Sequence, residues 1–67
     1  MPRIQIQMLE GRSVEQKRKL ARGLVDAAAD ALGIDKSRFS VIMIEVPEEN
    51  LAHGGLLWCD REEKPPV

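Results

Sequence analysis

The chain has 67 residues and a single cysteine, which allows one domain of marginal stability and excludes an internal disulfide. One histidine beside that cysteine falls short of a four-ligand zinc set, so self-association is the expected route to stability, with no metal and no cofactor. Ten basic and eleven acidic residues, interspersed to a net charge of −1, and no apolar run near the ~18 residues of a membrane span predict a cytoplasmic protein with no nucleic-acid or membrane partner.

Residues 3–9 alternate Ile4, Ile6 and Met8 with Arg3, Gln5 and Gln7, the period of a strand with one apolar face. Glu10-Gly11-Arg12 breaks that period and reads as a turn. Ser13-Val-Glu-Gln16 then fits a capping box. Leu20, Ala21, Leu24, Val25, Ala28, Ala31 and Leu32 follow at helical spacing as far as Gly33, a residue suited to the left-handed end of a helix. Glu15–Lys19 and Arg22–Asp26 stand four residues apart on the outer face, where ion pairs are expected.

After a connection over residues 34–38, Phe39 to Val46 reads as a second strand. Ile42, Ile44 and Val46 lie on one face and Phe39, Val41 and Met43 on the other. A strand apolar on both faces expects cover on both sides. One helix supplies only one cover, so a second subunit is expected on the other. Strand, helix, strand makes a right-handed β-α-β unit with parallel strands, an α/β (α+β) fold. Pro47 ends the strand, residues 48–55 form a loop closing on Gly54-Gly55, and Leu56 to Cys59 read as a strand or hairpin arm. The domain is predicted to span residues 1–59, with 60–67 a charged, proline-ended tail.

No phosphate-cradling glycine loop and no Ser–His–Asp set are present. The candidate for chemistry is Pro2, with an ordinary Met-Pro start as the alternative. Removal of Met1 before a small residue leaves a secondary amine at the chain terminus. An α-amino group titrates near pH 8, at about 7.7–8.0, and an apolar pocket or a nearby cation lowers that value toward neutrality. Such an amine takes and returns protons at physiological pH, as a general acid–base catalyst must. A retained Met1 would leave an amide with no basic nitrogen.

Pro2-Arg-Ile-Gln-Ile6, Leu9-Glu-Gly-Arg-Ser13 followed by Glu15-Gln-Lys17, Val41-Ile-Met-Ile-Glu-Val-Pro47 and Glu49-Asn-Leu-Ala-His-Gly-Gly55 together resemble the 4-oxalocrotonate tautomerase family. The resemblance runs without gaps from Pro2 to about Leu57. It implies β-α-β protomers that pair into four-stranded sheets, three pairs forming a hexamer. It also implies an isomerase that moves a proton in an α-keto carboxylate or its enol. Pro2 matches the catalytic proline and Arg12 the first of the substrate-binding arginines. An arginine there offers a fixed, always-charged fork for a carboxylate, close to the positive end of the helix.

Two positions depart from the family pattern. Ser40 stands where a second arginine is usual, and Leu51 stands where the wall of the pocket is usually aromatic. Serine cannot supply the cation that stabilises developing enolate charge. Arg38, two residues earlier, is the first substitute considered, because strand periodicity would point it to the side of Ser40; a solvent-exposed connector residue is the alternative. Arg3 and Arg61 are weaker candidates, and Trp58 is a possible replacement wall or an intersubunit packing residue. His53 reads as a surface or interface residue. Two further functions stay open: a hydratase or dehalogenase of 3-haloacrylate-like acids, with Glu48 or Glu49 activating water, and a non-catalytic subunit of a hetero-oligomer.

Overall fold

A computed structural model describes residues 1–63. Strand β1 (Arg3–Leu9) leads through a turn to helix α1 (Val14–Leu32), and strand β2 (Ser40–Val46) returns beside β1. The strands are parallel, paired from Arg3↔Ser40 to Leu9↔Val46, so the crossover unit expected from the sequence is present. Both halves of the capping box form: the Gln16 N–H donates to Ser13 Oγ at 3.1 Å, and the Ser13 N–H donates to Gln16 Oε1 at 2.9 Å. At the other end Gly33 adopts φ 67°, and its N–H returns to the Ala29 carbonyl at 2.9 Å. These two caps fix α1 at 19 residues, about 28 Å long.

The register places Ile4, Ile6 and Met8 on the same face as Val41, Met43 and Glu45. Helix α1 covers that face. Leu20, Ala21, Leu24, Val25 and Ala28 are half-buried against it, and Lys17 forms an ion pair with Glu45 at the seam. Ala31 and Leu32 were expected in the apolar stripe, yet both are exposed, while Ala29 is half-buried. The helix outruns the strands, which rise only ~3.3 Å per residue over seven residues, so its last turn has less sheet beneath it. The outer face also differs from expectation. Glu15 pairs with Arg18 at 3.4 Å, and Asp26 pairs with Lys36 at 2.8 Å, because the chain folds back after Gly33 and brings Lys36 onto the helix.

Among the described residues, no helix covers the opposite sheet face. Ile42 and Ile44 are 38% and 37% exposed there, beside Gln5 and Gln7. Among the described residues only Leu9 and Trp58 are buried. A core this thin leaves apolar surface in contact with water.

Three segments refine the sequence reading. Residues 36–38 form a 3-10 turn capped by Asp35, so β2 starts at Ser40 and not at Phe39. Asp35 accepts from both the backbone and the hydroxyl of Ser37, and these bonds hold its carboxyl below the ordinary carboxylate range. After a 3-10 turn at Glu48–Asn50, the expected loop contains strand β3 (Ala52–His53), paired antiparallel with β4 (Leu56–Leu57). Gly54 and Gly55 join them at φ 59° and 84°, the pair of positive angles that a type I′ hairpin demands. Trp58–Asp60 then form a 3-10 turn, so Trp58 and Cys59 are not part of the hairpin arm. Asp60 closes this turn and Arg61 is its C-cap. The end of the predicted tail, residues 64–67, lies outside the described residues.

Candidate active site

Pro2 and Ser40 lie together where the two strands begin. The Ser40 N–H donates to the Pro2 carbonyl at 3.1 Å, and the Ser40 hydroxyl donates to Met1 Sδ at 3.1 Å. With Met1 in place the Pro2 nitrogen is an amide. Met1 is 85% exposed, and its sulfur accepts from the Ser40 hydroxyl. Trimming Met1 therefore exposes a secondary amine and releases a hydroxyl next to it.

Arg12 lies at the other end. The Glu10 N–H donates to the Val46 carbonyl at 3.0 Å, tying the exit of β1 to the exit of β2. Gly11, at φ 121°, takes a backbone angle that side chains rarely allow and turns the chain into Arg12 and the helix cap. Arg12 then rims a pocket of about 320 Å³ with Ile6, Met8, Gln16 and Leu20. It is the one charged residue of that lining. A guanidinium over an apolar floor suits a carboxylate carrying a short hydrocarbon body.

Leu51 lies at this end too, beyond β2. Its N–H donates to the Glu48 carbonyl at 3.3 Å, and its carbonyl accepts from the Trp58 N–H at 2.7 Å. Glu48, Glu49, Pro47 and Cys59 line a second open cleft, about 590 Å³, with Glu10 and Gly11. Among the described residues no group of three or more histidine, cysteine or acidic side chains is placed to hold a metal. No helix among them is long and apolar enough to cross a membrane.

The sequence-predicted site residues thus fall into two groups, Pro2 with Ser40 and Arg12 with Leu51. Seven residues of β1 separate them, roughly 20 Å at the rise of a strand. A small carboxylate cannot touch both within one chain. Arg38 belongs with the first group by position, but it closes the 3-10 turn before β2. Strand periodicity therefore does not extend to it, and the reason for pointing it alongside Ser40 does not hold.

Sequence reasoning gave little weight to a pair that the fold brings together. The Arg61 guanidinium carbon lies 5.0 Å from the centre of the Trp58 ring, and His53 packs against the same ring at 6.1 Å. Trp58 is 7% exposed. The available signal was the three-residue spacing of Trp58 and Arg61, which one 3-10 turn converts into a stack.

A family model described as tautomerase enzyme matches residues 2–61. The 2-hydroxymuconate tautomerase of Pseudomonas putida is 40% identical over 55 residues, covering 82% of this chain and 87% of that protein. Its counterpart in Comamonas testosteroni is 39% identical over 56 residues, 84% of this chain and 89% of that one. Among solved structures, a chain of the heterohexamer 4-oxalocrotonate tautomerase from Chloroflexus aurantiacus superposes with a TM-score of 0.85. It is 42% identical, over 90% of this chain and 97% of the other. A 4-oxalocrotonate tautomerase homologue from a tomaymycin biosynthetic pathway superposes at 0.88 with 34% identity, over 97% and 100% of the two chains.

Proposed function

This chain belongs to the tautomerase enzyme family, and from that premise we propose that Pro2, freed of Met1, is the general base of an enol–keto isomerase acting on a small carboxylate. The Pro2 amine takes the proton from the enol hydroxyl. The O–H pair becomes the carbonyl, and the carbon–carbon double bond accepts the proton back from Pro2 at carbon. Nothing is oxidised or reduced, so no redox cofactor enters. Arg12 holds the carboxylate over the apolar pocket it shares with Ile6, Met8 and Leu20.

The observation that carries this reading is the separation of the two groups along β1. A base at one end and a carboxylate clamp at the other act on one substrate only when two copies contribute to one site. The open face with Ile42 and Ile44 supplies apolar surface for such an assembly, and a hexamer built as a trimer of dimers is the form proposed. The family's second arginine is replaced by Ser40, which favours a substrate other than the usual unsaturated diacid. A cytoplasmic location goes with this reading.

Intact mass combined with an ultraviolet enol–keto assay tests the base. Chains lacking Met1 should turn over, and Pro2→Ala should lower the rate by about 10²–10⁴-fold, the range for a lost general base. Undiminished activity in Pro2→Ala, or activity confined to chains that retain Met1, contradicts the mechanism.

A second reading draws on the Chloroflexus aurantiacus heterohexamer together with Ser40. In it this chain pairs with a second chain that carries the missing arginine. The pure protein would then assemble but stay inactive, and activity would appear only on mixing with that partner.

A further inference from the structure

We propose that Arg61, stacked on Trp58, is the substrate-contacting cation that Ser40 does not supply, and that Trp58 is its positioning residue. This rests on the reading of Pro2 as base and Arg12 as carboxylate clamp. Three observations lead to it.

The first is location. The 3-10 turn carrying Trp58 follows a hairpin that leaves from the exit end of β2, and Cys59 lines one cleft with Glu10 and Gly11, the residues just before Arg12. Arg61 therefore lies at the Arg12 end of the protomer, where the clamp is, and Arg38 lies at the other.

The second is the hairpin register. Ala52 pairs with Leu57 and His53 with Leu56, and the Trp58 N–H donates to the Leu51 carbonyl, which ties the start of the 3-10 turn to Leu51. The large aromatic surface absent at Leu51 is thus present on the residue bonded to its backbone. The His53 and Trp58 rings lie 6.1 Å apart, so the indole packs back on the hairpin.

The third is the state of the guanidinium. Arg61 is half-buried over the Trp58 ring, while the described ion pairs use Lys17, Arg18 and Lys36. Among the described residues no carboxylate lies within 4.0 Å of Arg61. The ring fixes the plane of the fork from one side and leaves its N–H donors for a ligand. A pre-positioned cation costs little reorganisation when charge develops on the enolate oxygen, which is the condition for stabilising the transition state more than the ground state.

The experiment measures ketonisation of 2-hydroxymuconate and of the enol of phenylpyruvate, a diacid and a monoacid, by Met1-free protein. Arg61→Met keeps an apolar stem on the ring but removes the charge. It should lower kcat by about a hundredfold with a smaller change in KM, for both substrates. Arg61→Lys should recover part of that loss. Trp58→Phe should lie between wild type and Arg61→Met, and Trp58→Leu should fall toward Arg61→Met. Thermal melts and sedimentation of each variant report fold and assembly. The proposal is overturned if Arg61→Met turns over within about twofold of wild type. It is equally overturned if Arg61→Met loses its fold or assembly, since the residue is then structural. Pro2→Ala in parallel separates the two ideas: an inactive Pro2→Ala beside a fully active Arg61→Met leaves the base standing and removes only Arg61.

Discussion

Where β1 and β2 begin, the Ser40 N–H meets the Pro2 carbonyl beside a serine hydroxyl and two exposed arginines, Arg3 and Arg38, neither held by a ring or a described ion pair. Where the same strands finish, the chain offers two clefts, a glycine turn into a helix cap, Arg12, and Arg61 on the Trp58 ring. Proton transfer needs an amine kept neutral, which apolar surface or a neighbouring cation does. Carboxylate capture needs fixed cations. A strand of seven residues keeps the two apart in one protomer, so under the proposed mechanism each end needs another copy to complete it.

The largest effect should come from blocking that meeting. Ile44→Lys places a charge in the middle of the open sheet face and should dissociate the assembly and remove activity together, read by sedimentation and rate on one sample. A monomeric yet active Ile44→Lys would mean that the two ends need no second copy. Arg12→Ala tests the clamp end alone. Losing a charge-assisted hydrogen-bond partner costs about 1.5–3 kcal/mol, so kcat/KM should fall roughly ten- to a hundredfold with the assembly intact. A change below threefold would move the clamp elsewhere. Ser13→Ala is the mildest: it removes the cap that opens α1 beside Arg12 and should cost about 1 kcal/mol of stability. Its activity should stay near wild type below the melting transition. A large loss there would tie the helix start to catalysis directly.

How much of this was legible depended on whether the signal was local. The ends of α1 were read to the residue because Ser13, Gln16 and Gly33 satisfy backbone groups within one turn. The parallel pairing followed from two apolar runs flanking one helix. The hairpin at Ala52–Leu57 was read only as a loop closed by a tight turn and an arm, since two-residue strands carry no period. Strand geometry was carried back to Arg38, although Asp35 caps a 3-10 turn there. The stack of Arg61 on Trp58 was missed for the same reason, a short turn at a place where a charged tail was expected. The candidate site was legible only as separate residues, because Pro2 and Arg12 never meet in one chain and no sequence period encodes contacts between copies.

The central claim is that one site takes its base from one chain and its clamp from another. Mixing Pro2→Ala with Arg12→Ala, dissociated and reassembled together, tests it most directly. Each variant alone should be nearly inactive, and random reassembly should complete about one site in four. Recovery toward that fraction of the wild-type rate is the predicted result. A mixture no more active than the two variants measured separately would contradict a site shared between chains.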